Sequence, residues 1–210
     1  MNIHDIVLGE MQTNGYVLTC DKAEGKCVII DSGLENSELI GYLKKMGLTP
    51  EAIILTHGHA DHIVGVRDLR REFHDIKVVI HKNDAEMLTN PAMNLSALVG
   101  INFKTQPGDT ILDGEQKISF AGIEFEVLET PGHTPGGISL YCRDDNVLFS
   151  GDTLFEASVG RSDFPGGNHR QLINSIKEKL LPLPPATKVY PGHGFTTTIS
   201  LEKDSNPFLR

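Results

Sequence analysis

The chain of 210 residues is long enough for one domain with a sizeable core, and its 39% hydrophobic and 22% charged residues are ordinary for a globular protein. A net charge of -9 argues against nucleic acid as the main partner, because phosphate binding requires a basic face. The sequence shows neither a charged and then apolar leader nor an apolar run of about 18 residues, which predicts no membrane partner and a cytoplasmic location. We expect residues 1–210 to form a single domain.

The N-terminal half predicts short strands followed by helices. Strands are predicted over residues 3–8, 16–20, 26–31 and 52–55. The last of these is β-branched and preceded by Pro50, which is typical of a buried strand. A helix is predicted over residues 38–45. A second helix, beginning at Asp61 or His62, is indicated by an apolar stripe of Ile63, Val66, Leu69 and Phe73.

The C-terminal half repeats this arrangement. It begins with a strand over residues 77–81 and a short helix over 84–88, and the weak local signals of 89–106 predict irregular structure. Further strands are predicted over residues 111–112, 116–120, 123–128, 137–142 and 147–150. A helix over 171–180 and a short strand at Val189 follow. Two β-rich halves, each followed by helices, predict an α+β fold in which helices cover a β-sandwich.

The three cysteines, Cys20, Cys27 and Cys142, are an odd number, which fits a reducing compartment. Cys20 and Cys27 flank a predicted turn and could face each other across a hairpin, but we expect free, packed thiols. None of the three lies in a candidate ligand turn, so none is expected to take part in catalysis.

A cluster of polar side chains follows the strand predicted over residues 52–55. His57, His59, Asp61 and His62 fall within six consecutive positions at the carboxyl end of that strand, where sites form in α/β folds. Imidazole and carboxylate together are ligands for zinc, iron or manganese. Histidines on a solvated loop are the alternative, but this segment holds three of the nine histidines in the chain.

Three further residues lie in Gly-containing turns after strand-like segments: His133, Asp152 and His193. An Asx-turn or helix cap is the alternative for Asp152. Surface or local structural roles are expected for the remaining histidines, which are His4, His74, His81 and His169. The seven candidate ligands exceed the four of a structural zinc site and fit two metals about 3.5–4 Å apart that share one carboxylate.

In their order along the chain, these motifs resemble the metallo-β-lactamase superfamily. The resemblance implies a four-layer αββα sandwich and two divalent metal ions, with zinc expected first and iron or manganese as alternatives. The implied ligands form two sets bridged by Asp152, namely His57, His59 and His133 for the first metal and Asp61, His62 and His193 for the second. Asp61 is also the expected catalytic residue, and a metal-bound hydroxide is the expected nucleophile.

The segments GDTLF at residues 151–155 and GRSD at 160–163 are similar to glyoxalase II and its short bacterial relatives. This implies hydrolysis of small thioesters such as S-lactoylglutathione. Arg161 lies where the family places a basic residue near the glutathione carboxylate, although a salt bridge with Asp163 is an equal alternative. Phe195 lies where the family often has a substrate-binding tyrosine. Full-length glyoxalase II continues into a helical region beyond the position of Arg210, so the thiol half of the substrate is expected to be held loosely.

Other functions fit the same residues. A persulfide dioxygenase with a single iron shares the GDTLF-like and GRSD-like segments, and retention of Asp61, His62 and His193 does not exclude it. A lactone or ester hydrolase of the same fold is a further alternative. A β-lactamase is disfavoured by the Asp61 and Asp152 pattern and by the missing export signal. A non-catalytic metal-binding module is also disfavoured, because it would not need open coordination positions.

Overall fold

Alternating apolar residues build two six-stranded sheets. The computed structural model describes residues 1–210, apart from the side chain of Val99. The strands of the first sheet, in spatial order, are β1 (Asn2–Leu8), β2 (Thr13–Thr19), β3 (Lys26–Ile30), β4 (Thr49–Ile54), β5 (Lys77–His81) and β6 (Thr110–Leu112). Strands β1 to β3 pair antiparallel and β3 to β6 pair parallel, so β3, β4 and β5 all end at the same edge.

The strands of the second sheet, in chain order, are β7 (Gln116–Phe120), β8 (Ile123–Glu129), β9 (Ile138–Cys142), β10 (Val147–Gly151), β13 (Lys188–Pro191) and β14 (Thr197–Thr198). Their spatial order in the sheet is β14-β13-β10-β9-β8-β7. A separate two-stranded hairpin comprises β11 (Leu154–Phe155) and β12 (Ser158–Val159). Strands β10 and β13 are parallel, so the residues that follow each of them lie at the same edge.

The helices are short. The α-helices are α1 (Ser37–Met46), α2 (Ala60–Ile63), α3 (Val66–Glu72), α4 (His169–Ser175) and α5 (Ile199–Ser205). Two 3₁₀ turns cover Ala85–Leu88 and Ser96–Val99, and a π-helical turn over Ile176–Leu180 continues α4. None of the helices that the structure describes has the length and hydropathy of a membrane span.

Three apolar layers hold these elements together, because successive strand residues point to opposite faces of a sheet. Ile29 of β3 belongs to the layer shared with α1 and α3, whereas Ile30 belongs to the layer between the sheets. The inter-sheet layer also contains Phe125 and Phe149. A third layer joins the second sheet to α4, where Leu172 is fully buried. The order helix, sheet, sheet, helix confirms the predicted αββα fold.

The single helix predicted from Asp61 or His62 is wrong in its continuity, because α2 and α3 are separated at Gly65. The backbone of Gly65 lies so close to the loop after β3 that an added Cβ would stand 2.3 Å from the carbonyl oxygen of Ser32. Asn36 also donates a hydrogen bond to the Gly65 carbonyl at 2.8 Å. Packing against this loop therefore interrupts a helix that the apolar stripe predicted to be continuous.

Other differences from the predicted elements are small. The short strands β11, β12 and β14 and the helix α5 were not predicted, and a 3₁₀ turn lies within the segment predicted to be irregular. The three cysteines are free thiols in the described chain, as expected. Burial raises the pKa of Cys27 and of Cys142 to about 12, which makes both thiols inert at neutral pH.

Candidate metal centre

All seven predicted ligands converge at one edge of the sandwich. Five of them lie in loops that follow the carboxyl ends of β4, β8, β10 and β13, and Asp61 and His62 lie in α2, directly after the first of these loops. Three sets of side chains have potential ligand atoms within 4.8 Å of one another: a first group of His57, His59 and His133; a second group of Asp61, His62 and His193; and an intermediate set of His57, His62 and Asp152. The first and second groups match the two sets implied by the sequence resemblance, and the intermediate set contains the carboxylate expected between them.

The first group consists of three buried imidazoles that face a common point. The Nε2 atom of His133 lies 3.2 Å from Nε2 of His57 and 2.8 Å from Nδ1 of His59. Ligands at 2.0–2.1 Å in tetrahedral geometry would be separated by about 3.3 Å. The spacing therefore suits three nitrogen ligands of one metal ion, with only small adjustments.

The second group is more polar and partly open to solvent. Nε2 of His62 and Nε2 of His193 are 3.3 Å apart. Oδ2 of Asp61 lies 3.1 Å from the His193 nitrogen and 3.4 Å from the His62 nitrogen. Thr13 donates a hydrogen bond to the same oxygen at 3.3 Å, which orients the Asp61 carboxylate.

Asp152 lies between the two groups. Its Oδ1 is 3.4 Å from Nε2 of His62, and its Oδ2 is 3.6 Å from Nε2 of His193 and 3.7 Å from Nε2 of His133. Oδ1 is buried and has no hydrogen-bond partner among the described residues. A buried carboxylate oxygen without a donor is costly unless a cation neutralises it. The donor set and this oxygen fit a bridging ligand of two divalent ions.

The outer nitrogens of three of these histidines are held by hydrogen bonds that fix the rings. Nδ1 of His62 contacts Oδ2 of Asp31 at 2.8 Å, and Nδ1 of His133 donates to the Arg161 carbonyl at 2.7 Å. Nδ1 of His193 contacts the carbonyl oxygen of Gln12 at 3.2 Å. A proton on each outer nitrogen leaves the inner nitrogen free to bind a metal.

Asp31 is a functional residue to which the sequence analysis gave no role. Its Oδ1 accepts the Thr56 backbone N–H at 2.9 Å, and its Oδ2 accepts the Thr56 hydroxyl at 2.8 Å as well as contacting His62. The Asp31 backbone has a φ of 56°, which is uncommon for a residue other than glycine. The Asp-Ser-Gly turn after β3 could have indicated Asp31 as a site residue, because the other site residues also follow strands.

Asp84 joins the two ligand loops and was likewise missed. Its carboxylate accepts hydrogen bonds from the Gly58 N–H at 3.0 Å, the Thr134 hydroxyl at 2.7 Å and the Gly136 N–H at 2.7 Å. Burial raises the pKa of Asp84, although these three bonds oppose the shift. The position follows no ligand-like motif, so no sequence pattern pointed to it.

The charges of the two groups differ. Burial and the neighbouring histidines lower the pKa of His57 well below its ordinary value, and burial lowers the pKa of His59 to about 3. Burial also lowers the pKa of His62, but the carboxylates of Asp61 and Asp31 outweigh it and raise that pKa to about 10. His57 and His59 are therefore neutral at pH 7, the form of imidazole that binds metals, whereas the second group attracts positive charge.

A cavity of about 700 Å³ opens beside the ligands. Arg161 lines it and forms the salt bridge with Asp163 that was one of its two expected roles, with both N···O distances at 2.8 Å. The Arg161 guanidinium also lies 3.8 Å from the centre of the Phe164 ring. Phe195 is 79% exposed and is absent from the described cavity lining, so its predicted contact with substrate stays a prediction.

Replacing Asp31 with asparagine should weaken metal binding by about 10- to 100-fold, the usual effect of losing a partner of a ligating histidine. Asparagine tolerates the positive φ of this position but lacks the negative charge that holds Nδ1 of His62. Competition with a chromophoric chelator measures the affinity. Asp5→Asn, at an exposed position of β1, serves as the control. An unchanged affinity in Asp31→Asn would show that His62 needs no partner.

The fold and the converging ligands define a metal-binding αββα protein. The chain belongs to the metallo-beta-lactamase superfamily, because residues 8–193 match the sequence profile of that family. It is thus a metal-dependent hydrolase of this superfamily.

Relatives of known name agree with this assignment. The probable metallo-hydrolase YqgX of Bacillus subtilis is 42% identical over 96% of this chain and 94% of its own length. The hydroxyacylglutathione hydrolase GloC of Haemophilus influenzae is 36% identical over 100% of this chain and 98% of its own. The resemblance to the superfamily and to glyoxalase II is therefore confirmed.

Solved structures are similar over almost the whole chain. The BLEG-1 B3 metallo-beta-lactamase has a TM-score of 0.95 and 45% identity, covering 99% of both chains. TTHA1623, solved in a di-iron-bound form, has a TM-score of 0.84 and 37% identity, covering 98% of this chain and 100% of its own.

Proposed function

We propose that the protein hydrolyses small thioesters, such as S-lactoylglutathione, at a centre that holds two divalent metal ions. The observation that carries this proposal is the carboxylate of Asp152 between two convergent ligand groups, with a buried oxygen that lacks a donor. Similarity to the hydroxyacylglutathione hydrolase GloC and the GDTLF and GRSD segments supports the thioester as the substrate class. The substrate under this proposal is a small molecule. The expected location of the protein is the cytoplasm.

The ligand sets are those described above, with Asp152 shared between them. When bound, divalent ions supply a water of lowered pKa and polarise a carbonyl oxygen. Asp61 lines the cavity, where its carboxylate can accept a hydrogen bond from the attacking water and orient it. His62 and His193 hold the pKa of Asp61 below its usual range, against the effect of burial, so this carboxylate remains an acceptor. Hydrolysis breaks the acyl C–S bond, forms a C–O bond from water and releases a carboxylic acid and a thiol.

Zinc is the metal that we expect first, and iron and manganese are the alternatives, because imidazole and carboxylate ligands bind all three. The di-iron form of TTHA1623 supports iron as a serious candidate in this chain. Metal availability in the cell often decides among such ions.

The test is metal analysis of the purified protein together with a thioester hydrolysis assay that detects the released thiol. We expect two metal ions per chain and turnover of S-lactoylglutathione and of other small thioesters. Fully metal-loaded protein without thioester turnover would overturn the proposal. A single iron together with oxygen consumption on glutathione persulfide would instead support the dioxygenase.

A second candidate is hydrolysis of a lactone or β-lactam, which the likeness to the BLEG-1 B3 metallo-beta-lactamase favours. The same oriented water would attack a strained ring carbonyl rather than a thioester. Assays of a chromogenic cephalosporin and a simple lactone on the same preparation distinguish these reactions. We expect kcat/KM for the thioester to exceed both, and a higher value for the cephalosporin would assign the protein to the lactamases.

A further inference from the structure

The cavity beside the ligands is walled by large apolar side chains that are open to solvent. Leu98 is 74% exposed, Met11 53% and Ile101 46%, and Phe155 and Phe164 line the same cavity. Soluble proteins rarely leave such side chains grouped at the surface unless the patch binds something. Their position next to His59, Asp61 and His133 makes a bound substrate the natural occupant.

The apolar wall is attached rigidly to the ligand loop through Asn94. The carbonyl oxygen of this buried residue accepts the Ala60 N–H at 2.9 Å, within the loop that carries three histidines. Its side chain donates to the carbonyls of Met87 and Phe103 at 2.7 and 3.1 Å and accepts the Ser96 N–H at 2.9 Å. These bonds fix the start of the segment that presents Leu95, Leu98 and Ile101 to the cavity.

The backbone of Leu95 adopts an unfavourable conformation, which indicates that the surrounding contacts hold the wall in place. Its φ of 67° lies in the left-handed region, which a bulky residue rarely adopts. Such a conformation persists only where surrounding contacts determine it, and it is common at ligand-binding sites. Here the neighbouring Asn94 and Ser96 supply those contacts, because Ser96 Oγ also accepts the Phe103 N–H at 2.8 Å.

The charges of the cavity do not favour an anionic thiol carrier. Arg161 is the one permanently cationic side chain among the described lining residues, and Asp163 already neutralises it through two hydrogen bonds. Glu10 adds a negative charge to the lining. The two carboxylates of glutathione would therefore find little compensation, whereas an uncharged apolar group would find a matching wall.

We infer that, among the thioesters it hydrolyses, this site prefers those with an apolar group of several carbons beside the reacting carbonyl, which packs against Leu98 and Ile101. This inference rests on the proposed function only for the identity of the reacting bond as a thioester. Discrimination among thioesters then comes from the length of the apolar group rather than from recognition of a charged thiol.

The binding test uses probes that cannot be hydrolysed, namely thioethers of N-acetylcysteamine with methyl, butyl and hexyl chains. Calorimetric titration of the metal-loaded protein should give a Kd that falls by about threefold for each added methylene, since each is largely removed from water. In the Leu98→Ser/Ile101→Ser double variant, the methyl and hexyl probes should bind within about threefold of each other. Leu201→Ser changes an exposed leucine on α5, outside the cavity, and should keep the wild-type dependence.

The turnover test applies the same logic to thioesters of N-acetylcysteamine with acetyl, butyryl and hexanoyl groups. We expect kcat/KM to rise with chain length in the wild type and in Leu201→Ser, but not in the double variant. Equal binding of all probes by the wild type, or an unchanged dependence in the double variant, would overturn the inference. Binding that depends on chain length, without turnover, would refute the thioesterase function but support the apolar binding site. Turnover that does not depend on chain length would refute the apolar binding site but support the thioesterase function.

Discussion

Replacement of Asp152 by alanine is expected to abolish hydrolysis and to lower the metal content of the protein. The two carboxylate oxygens face ligand atoms of both groups, so one substitution removes a contact from each metal position. A helix cap contributes only about 1 kcal/mol, but a ligand shared by two metals supports several kcal/mol of charge stabilisation. We therefore expect kcat/KM to fall on the order of a thousandfold or more. Activity and metal analysis on the same preparation measure the effect.

Asp109→Ala provides the matched control for this experiment. The Asp109 carboxylate accepts hydrogen bonds from the Val78 N–H and from Arg70, both at 2.8 Å, on a loop away from the candidate site. Its loss should lower stability without changing metal content or activity. If Asp152→Ala keeps wild-type activity and two metal ions, the binuclear centre is wrong and Asp152 acts as a turn residue.

The ligands could be predicted from the sequence because each carries two signals at once. A histidine or aspartate in a Gly-containing turn indicates a possible metal ligand, and the apolar run before it indicates that a strand ends there. Since strand ends meet at one edge of a sandwich, His133 is brought to His57, and His193 to His62, although they are far apart in sequence. The order of two β-rich halves, each followed by helices, likewise predicted a β-sandwich covered by helices.

The residues that hold the ligands could not be predicted in the same way. Asp84 and Asn94 act through hydrogen bonds to backbone groups of distant loops, and these partners depend on tertiary packing rather than on local pattern. The break at Gly65 has the same origin, because it follows from close contact with Ser32. The apolar wall was missed because its segment has no periodic pattern that predicts an element.

Removal of the metals by a chelator is expected to abolish activity and to lower the melting temperature markedly. In the metal-loaded protein, the ions stabilise the folded state because an unfolded chain cannot offer ligands that converge to about 3 Å of one another. Nε2 of His133 already stands 2.8 Å from Nδ1 of His59 and 3.2 Å from Nε2 of His57. Free metal at about a thousand times its Kd adds about 4 kcal/mol to the free energy of unfolding. At about 2–4 °C per kcal/mol for a chain of this size, the melting temperature should fall by roughly 8–16 °C.

Scanning calorimetry before and after chelation, with the metal content determined each time, measures this shift, and returning the metal should restore both activity and melting temperature. Asp109→Ala should lose as many degrees as the wild type, because its ligand groups are intact. Asp152→Ala should lose fewer, because it binds less metal from the start, and the difference between the variants isolates the contribution of the bridging carboxylate.

A wild-type protein stripped of metal that melts at its original temperature would mean that the buried charges of Asp152 and Asp61 are balanced by the surrounding histidines alone. Within the second group this balance would require protons on both His62 and His193, which already lie 3.4 Å and 3.1 Å from Oδ2 of Asp61. Two like-charged imidazolium groups 3.3 Å apart repel each other, so we expect divalent ions, and not protons, to stabilise this edge of the fold.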